Sequence, residues 1–251
     1  MPEPAEPDLW LGGRLRLRQQ PRGGHRAGTD AVLLARLFEP GPDDVVCDLG
    51  AGTGAIGLAY ASLYPSCRVV LVERDDAVAE LARENVRANG FADRVEVVEA
   101  DVLAPGARRR AAGLTSDLAD ILVTNPPFFE PTSHRPSPIA ARASAHTFVG
   151  DGLDCWLRTC ADLLRPGGRL GLIHRADCLP ICLDGLRNRF GGITVRPVHA
   201  SAERPAIRVL ISAVKGSRGP FSLLAPMILQ DASGRFTAEA DAMHRGEPPP
   251  S

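Results

Sequence analysis

Asp44-Val45-Val46-Cys47-Asp48-Leu49, running straight into Gly50-Ala51-Gly52-Thr53-Gly54, decides the architecture of this chain. The first six residues form a mostly apolar run of strand length, the pattern of a strand covered on both faces. The three glycines behind it let the backbone turn tightly and come close to a ligand. A helical stretch, Ala55 to about Tyr64, completes a strand–turn–helix unit.

The same alternation continues toward the C-terminus. Arg68 to Val72 reads as strand, and about Asp76 to Asn89 as helix with Gly90 as its closing residue. Arg94 to Val98 and Asp120 to Val123 are further strands. A helix over Leu153–Leu164 stops at Pro166-Gly167-Gly168, before a strand from Arg169 to His174. A helix from Cys178 to Phe190 follows, with Pro180 in its first turn. Ile193–Val198 and Ile207–Val214 are strands joined by the polar loop Ala200–Pro205, with no helix between them. Repeated βα units predict an α/β fold, a doubly wound, mostly parallel seven-stranded sheet with an antiparallel edge hairpin.

Toward the N-terminus, Leu9-Trp10-Leu11, Gly12-Gly13 and Arg14-Leu15-Arg16-Leu17-Arg18 predict a short β-hairpin, with Leu15 and Leu17 on one face and the arginines on the other. A loop leads to a helix over 31–38, N-capped by Thr29 or Asp30 and ended by Pro40-Gly41-Pro42. The expected organisation is a disordered tail over 1–7, one domain over 8–215 that begins with the hairpin and loop of 8–27, and a C-terminal extension over 216–251.

A length of 251 residues suits one large domain. The net charge of −1 gives no global attraction for a polyanion, so nucleic-acid binding would need local basic patches. No apolar run reaches the roughly 20 residues of a membrane span, and Met1 to Pro7 lacks the basic and apolar regions of a signal peptide. The six cysteines form no C-x-x-C pair and the six histidines show no ligand spacing, so neither zinc nor another metal is expected. Reduced thiols and a cytoplasmic location fit this usage. Nothing in the sequence sets an oligomeric state.

The chemistry sits at the strand ends. Glu73 ends the second strand, where a carboxylate can accept from ribose hydroxyls, a use common to nicotinamide and S-adenosylmethionine enzymes. Gly52 to Gly57 even satisfies G-x-G-x-x-G, which keeps a nicotinamide dehydrogenase open. Asp101 follows the third strand, placed to accept from an adenine amino group. Asn125-Pro126-Pro127-Phe128 follows the fourth. Two consecutive prolines cannot continue a sheet. The stiff corner offers the Asn125 amide, the Pro126 carbonyl and the Phe128 ring, a receptor for a planar group carrying an NH₂, either a base or a primary amide. Hydride transfer has no use for that receptor, whereas methylation of an amino nitrogen does.

With these residues in view, the chain resembles the class I S-adenosylmethionine-dependent methyltransferases, Rossmann-like transferases, over about residues 8–215. Asp48 to Gly54 resembles their first motif, and Asn125 to Phe128 the [N/D]-P-P-[Y/F/W] motif of amino-methylating members. Gly28-Thr29-Asp30-Ala31-Val32-Leu33-Leu34 is similar to the tRNA1(Val) adenine-N6 methyltransferase family, which acts in tRNA modification on an adenine beside the anticodon. The resemblance implies S-adenosyl-L-methionine as cofactor. Gly50, Gly52 and Gly54 would pass beneath it, with Asp48 near its methionine portion and Glu73 on its ribose. Asp101 and the Val102 backbone would hold the adenine, while Thr29 and Asp30 close over the methionine end. Asn125 would border the cofactor, and Asn125, Pro126 and Phe128 would receive the target base.

An RNA substrate, tRNA in the first place, would find candidate phosphate contacts in Arg14, Arg16, Arg18, Arg22 and Arg26 beside His25, and in Arg135 and Arg142 of the long segment 129–150. That segment also carries His134 and His146, and its length suggests a lid. Lys215 and Arg218 are weaker candidates, and Arg108-Arg109-Arg110 reads as a solvated loop. Two other functions compete: N5 methylation of a glutamine in a protein such as a release factor, and a non-catalytic cofactor- and RNA-binding module.

Overall fold

The computed structural model describes residues 6–19, 28–127 and 152–248. The strand that opened the sequence reading is β3, Val45–Leu49, at the middle of a nine-stranded sheet. It pairs in parallel with β4, Arg68–Glu73, and with β6, Ala119–Thr124. β5, Val95–Glu99, extends the parallel part beyond β4, and β7, Leu164–Arg175, extends it beyond β6. Next come two long antiparallel strands, β9 (Ala206–Lys215) and β8 (Phe190–Ser201), the expected hairpin. Two short strands, β10 (Ser222–Leu223) and β11 (Met227–Gln230), pair in parallel along the outer side of β8.

Alternation along the central strands divides the core in two. Val46, Val69, Leu71, Ile121 and Val123 pack on one face against α1 (Thr29–Ala35), α2 (Ala55–Leu63) and α3 (Asp76–Ala88). Cys47, Leu49, Val70, Val72 and Leu122 pack on the other against α5 (152–163) and α6 (Leu179–Leu186). Asp75 caps α3, accepting from the Val78 N–H at 3.0 Å.

The N-terminal hairpin, β1 (Asp8–Trp10) with β2 (Leu15–Leu17), buries Leu15 and Leu17 fully and leaves Arg14, Arg16 and Arg18 exposed. Its docking uses two asparagines one turn apart, Asn85 on α3 and Asn89 at its C-cap. Asn89 accepts from the Arg16 N–H and donates to the Arg16 carbonyl. Asn85 does the same for Arg18 and also donates to the Thr53 carbonyl in the glycine turn. The two amides take the place of a neighbouring strand for the β2 backbone, whose polar groups would otherwise lack partners. The Arg18 side chain lies 3.4 Å from Glu84, so one of the expected phosphate contacts already has an acidic partner.

Several boundaries differ from the sequence expectation, each for a physical reason. Gly28, not Thr29 or Asp30, stands at the N-cap of α1, because the Thr29 and Asp30 side chains are engaged by His244 and Arg208. The arginine run is a helix rather than a loop: it forms α4, Gly106–Ala111, with Arg108 and Arg110 exposed as expected, whereas the Arg109 side chain is only 14% exposed and pairs with Asp162 at 2.9 Å. Pro166-Gly167-Gly168 does not separate α5 from β7. It is absorbed as an irregularity within β7, between the pairs Ala119↔Leu164 and Ile121↔Arg169. Helix α6 ends before Phe190, which is buried as the first residue of β8.

The tail is structured as far as described. Besides β10 and β11 it forms α7, Ala238–His244, capped by Thr237. Ala240 and Met243 of α7 are buried in the same core as α1. Lys215 pairs with Asp117 at 2.9 Å, next to the start of β7 and so at the end of the sheet away from the glycine turn. No helix among the described residues is long and apolar enough to cross a membrane.

Candidate active site

β3, β4 and β6 run parallel, so Leu49, Glu73 and Thr124 end on one edge of the sheet. A cavity of about 490 Å³ opens there. Its wall includes Gly50 and Gly52 from the glycine turn, Glu73 from the end of β4, Asn125 just past β6, Thr29 and Asp30 from α1, and Arg208 from β9. Open α/β sheets bind ligands at this edge.

The turn is fitted for close approach. Gly52 has φ +56°, and a Cβ placed on it would meet nothing within 4 Å, so the backbone itself is the cavity floor there. Gly50 has φ +78°, and a Cβ on it would lie 2.9 Å from the Trp156 ring. Trp156 is locked in turn, its indole N–H donating to Thr124 Oγ1 at 3.0 Å while Thr124 donates to the Leu49 carbonyl at 2.8 Å. One buried chain of contacts therefore joins α5, the end of β6 and the glycine turn.

Glu73 is held before any ligand arrives. Its Oε2 accepts from the Gly52 N–H at 2.9 Å, and Oε1 accepts from the N–H groups of Arg74 and Asp75. A carboxylate has about four lone-pair sites, so Glu73 retains capacity toward the cavity it lines.

Asp48 lies behind this wall and is fully buried. Its Oδ2 accepts from the Gly57 N–H at 2.9 Å, while Oδ1 has no hydrogen-bond partner among the described residues. Burial pushes its carboxyl up to about 7, against the pull of the Gly57 hydrogen bond. Gly54 caps α2 with φ +89° rather than lining the cavity. Asp101 is exposed and accepts from the Leu103 N–H, and the Val102 carbonyl accepts from Thr159 Oγ1. Neither lies on the cavity wall. Pro126 is buried and is not among the residues lining the cavity. Phe128, His25, Arg22, Arg26, His134, Arg135, Arg142 and His146 lie outside the described residues, as does the 129–150 segment read as a lid.

The model of the methyltransferase small domain matches residues 26–195, more than half of the chain and the span that carries the glycine turn, Glu73 and Asn125. The chain belongs to the methyltransferase small domain family. This sets aside the nicotinamide dehydrogenase. The chain is 35% identical over 158 residues to a tRNA1(Val) (adenine(37)-N6)-methyltransferase of Porphyromonas gingivalis, covering 61% of this chain and 60% of that protein. It is 36% identical over 161 residues to a release factor glutamine methyltransferase of Moorella thermoacetica, covering 61% of this chain and 54% of that one. The chain thus spans about 60% of the length of the first relative and about half of the second. A crystal structure from Agrobacterium tumefaciens, described as a predicted O-methyltransferase, superposes with a TM-score of 0.73 at 31% identity, covering 87% of this chain and 97% of that one.

S-adenosylmethionine is the cofactor of this methyltransferase, and the residues present suit it. The open floor at Gly52 leaves room for a nucleoside. Glu73 offers a pre-oriented acceptor, and the buried Asp48 Oδ1 has no hydrogen-bond partner among the described residues. Among the described residues no cluster of His, Cys, Asp or Glu could hold a metal ion.

Sequence reading passed over four residues here: Thr124, Trp156, Arg208 and His244. Arg208 carried a signal, as the one charged residue inside the apolar run Ile207–Val214.

Asp48 gives the fold a defined pH dependence. Its folded carboxyl titrates near 7, above the roughly 3.9 of an unfolded aspartate. The native state therefore binds this proton more tightly. The group's contribution is fully favourable below pH 4, is lost as pH rises from about 4 to 7, and is constant above. The shift corresponds to about 4 kcal/mol. Asp48→Asn should gain on wild type in denaturant midpoint steadily across that window. A difference independent of pH would show that Asp48 is ionised in the ligand-free fold.

Proposed function

We propose that this methyltransferase transfers the cofactor's methyl group to an exocyclic amino nitrogen, adenine N6 in a tRNA near the anticodon. The observation that carries the reading is the place of Asn125. It lies on the same cavity wall as Gly52 and Glu73, directly before the Pro126-Pro127 corner that ends β6.

S-adenosylmethionine supplies a methyl group already activated on a sulfonium. The protein's part is to present the nitrogen. The lone pair of an aromatic amine is delocalised into its ring and attacks poorly. The Asn125 side-chain oxygen and the Pro126 carbonyl, accepting one N–H each, favour a pyramidal nitrogen and stabilise the positive charge that develops on it. Holding nitrogen, methyl and sulfur in line is an orientation effect, which the stiff proline corner serves. The methylated amine is strongly acidic until it loses a proton, so no strong base is required. Phe128 would stack on the extruded base, a contact of about 1–3 kcal/mol.

Two acceptors match an NH₂ better than a hydroxyl, which has one hydrogen to give. This favours N- over O-methylation. Adenine over glutamine is supported by the tRNA-modifying relative and by the exposed Arg14 and Arg16 at β2, which suit a polyanion. The glutamine reading keeps a specific support of its own, the 36% identity to the release factor enzyme. Purified protein with labelled S-adenosylmethionine and either unmodified tRNA or a release factor distinguishes the two. The proposal expects label in tRNA as N6-methyladenosine and none in protein; label only in protein would reverse it.

A further inference from the structure

Asp30 and Arg208 are 178 residues apart in sequence and meet on the wall of the cofactor cavity. The Arg208 Nε–H donates to Asp30 Oδ2 at 2.8 Å, and its Nη1 donates to the Ile207 carbonyl. Less than a third of either side chain is exposed. A guanidinium carries five N–H donors in a planar fork. Two contacts leave Arg208 with donors to spare, on a residue that lines the cavity, and Asp30 keeps its second oxygen.

The cavity is long enough to separate two recognition ends. Glu73 belongs to β4 and Arg208 to β9, four steps across the sheet through β3, β6 and β7. At about 4.8 Å per step the strands stand roughly 19 Å apart. Side chains reaching inward from both ends shorten that to the scale of an extended nucleoside–amino acid conjugate. Glu73 offers an acceptor for hydroxyls at one end. The other end presents a carboxylate and a guanidinium side by side.

That second arrangement is the complement of an amino-acid zwitterion. We propose that Arg208 is a cofactor-binding residue whose free guanidinium donors take the α-carboxylate of the methionine end, while Asp30 takes its α-ammonium. Being paired, the two residues add no net charge beside the sulfonium. The inference rests on S-adenosylmethionine as the cofactor and adds a ligand that comes from the far side of the sheet.

Calorimetry with two ligands tests it. S-adenosylhomocysteine carries the amino-acid end, and 5′-methylthioadenosine lacks it. Arg208→Gln should weaken S-adenosylhomocysteine by about tenfold or more and leave 5′-methylthioadenosine within about twofold, and Arg208→Lys should recover part of the loss. Thermal melts of all three proteins check that the fold persists. Equal losses for both ligands would assign Arg208 a structural role and overturn the proposal. Unchanged S-adenosylhomocysteine binding, with tRNA affinity lowered instead, would make Arg208 a phosphate contact and overturn it as well. Wild-type protein that binds neither ligand would remove the cofactor itself, a failure distinct from these two.

Discussion

Asn125→Ala is expected to lower the methyl-transfer rate by about 10²- to 10³-fold while S-adenosylhomocysteine binds within a few-fold of wild type. Loss of one preorganised hydrogen-bonding group that stabilises developing charge has that scale. Asn125 borders the cavity, whereas the anchors proposed for the cofactor are Glu73, the glycine turn and the Arg208–Asp30 pair. The fold should tolerate the change, because Asn125 follows β6 rather than lying within it, and Pro126 and Pro127 keep the corner stiff. Single-turnover rates beside calorimetry measure both halves. Near-wild-type turnover would remove the amino-group clamp. An equal loss of turnover and cofactor affinity would make Asn125 a cofactor ligand only.

Gly50→Ala and Gly52→Ala, two residues apart, should fail in different ways. At Gly50 an added Cβ meets the Trp156 ring at 2.9 Å on a backbone with φ +78°. The ring has no free retreat, being buried and tethered to Thr124. Left-handed backbone and overpacking together cost about 2–4 kcal/mol, so the denaturant midpoint should fall sharply. At Gly52 the Cβ enters open space, so only the left-handed backbone cost of about 1–2 kcal/mol applies. The methyl group would project from the cavity floor, and cofactor affinity should drop on the order of tenfold or more, the scale of about 1–3 kcal/mol of overpacking. If the two variants lost stability and affinity in parallel, the division between a buttressed glycine and a floor glycine would be wrong.

These two glycines illustrate what the sequence makes legible. Buried parallel strands are short apolar runs, so β3 to β6 can be read directly, and so can the ends where Glu73 and Asn125 stand. The glycine turn is also legible as a turn. The division of labour within it is not, because Trp156 comes from a helix a hundred residues later. Arg208 is hidden in the same way, as its partner Asp30 is distant in sequence and adjacent only after the sheet forms. The arginine run of α4 looks solvated because the acid that draws Arg109 inward, Asp162, belongs to α5. The tail strands β10 and β11 span two and four residues, too few for a period to show, and exist through pairing with β8. Asp101 and Val102, which the resemblance gives to the adenine, are not among the residues lining the cavity; Asp101 accepts from the Leu103 N–H and the Val102 carbonyl from Thr159.

We propose methylation of one amino nitrogen in tRNA. It is tested most directly by mass spectrometry of the modified nucleosides of total tRNA from cells with and without the gene, alongside peptide mapping of release factors from the same cells. One N6-methyladenosine is expected to disappear from tRNA with the gene and to return with wild-type protein but not with Asn125→Ala. Unchanged tRNA nucleosides together with loss of a methylated release-factor glutamine would contradict it.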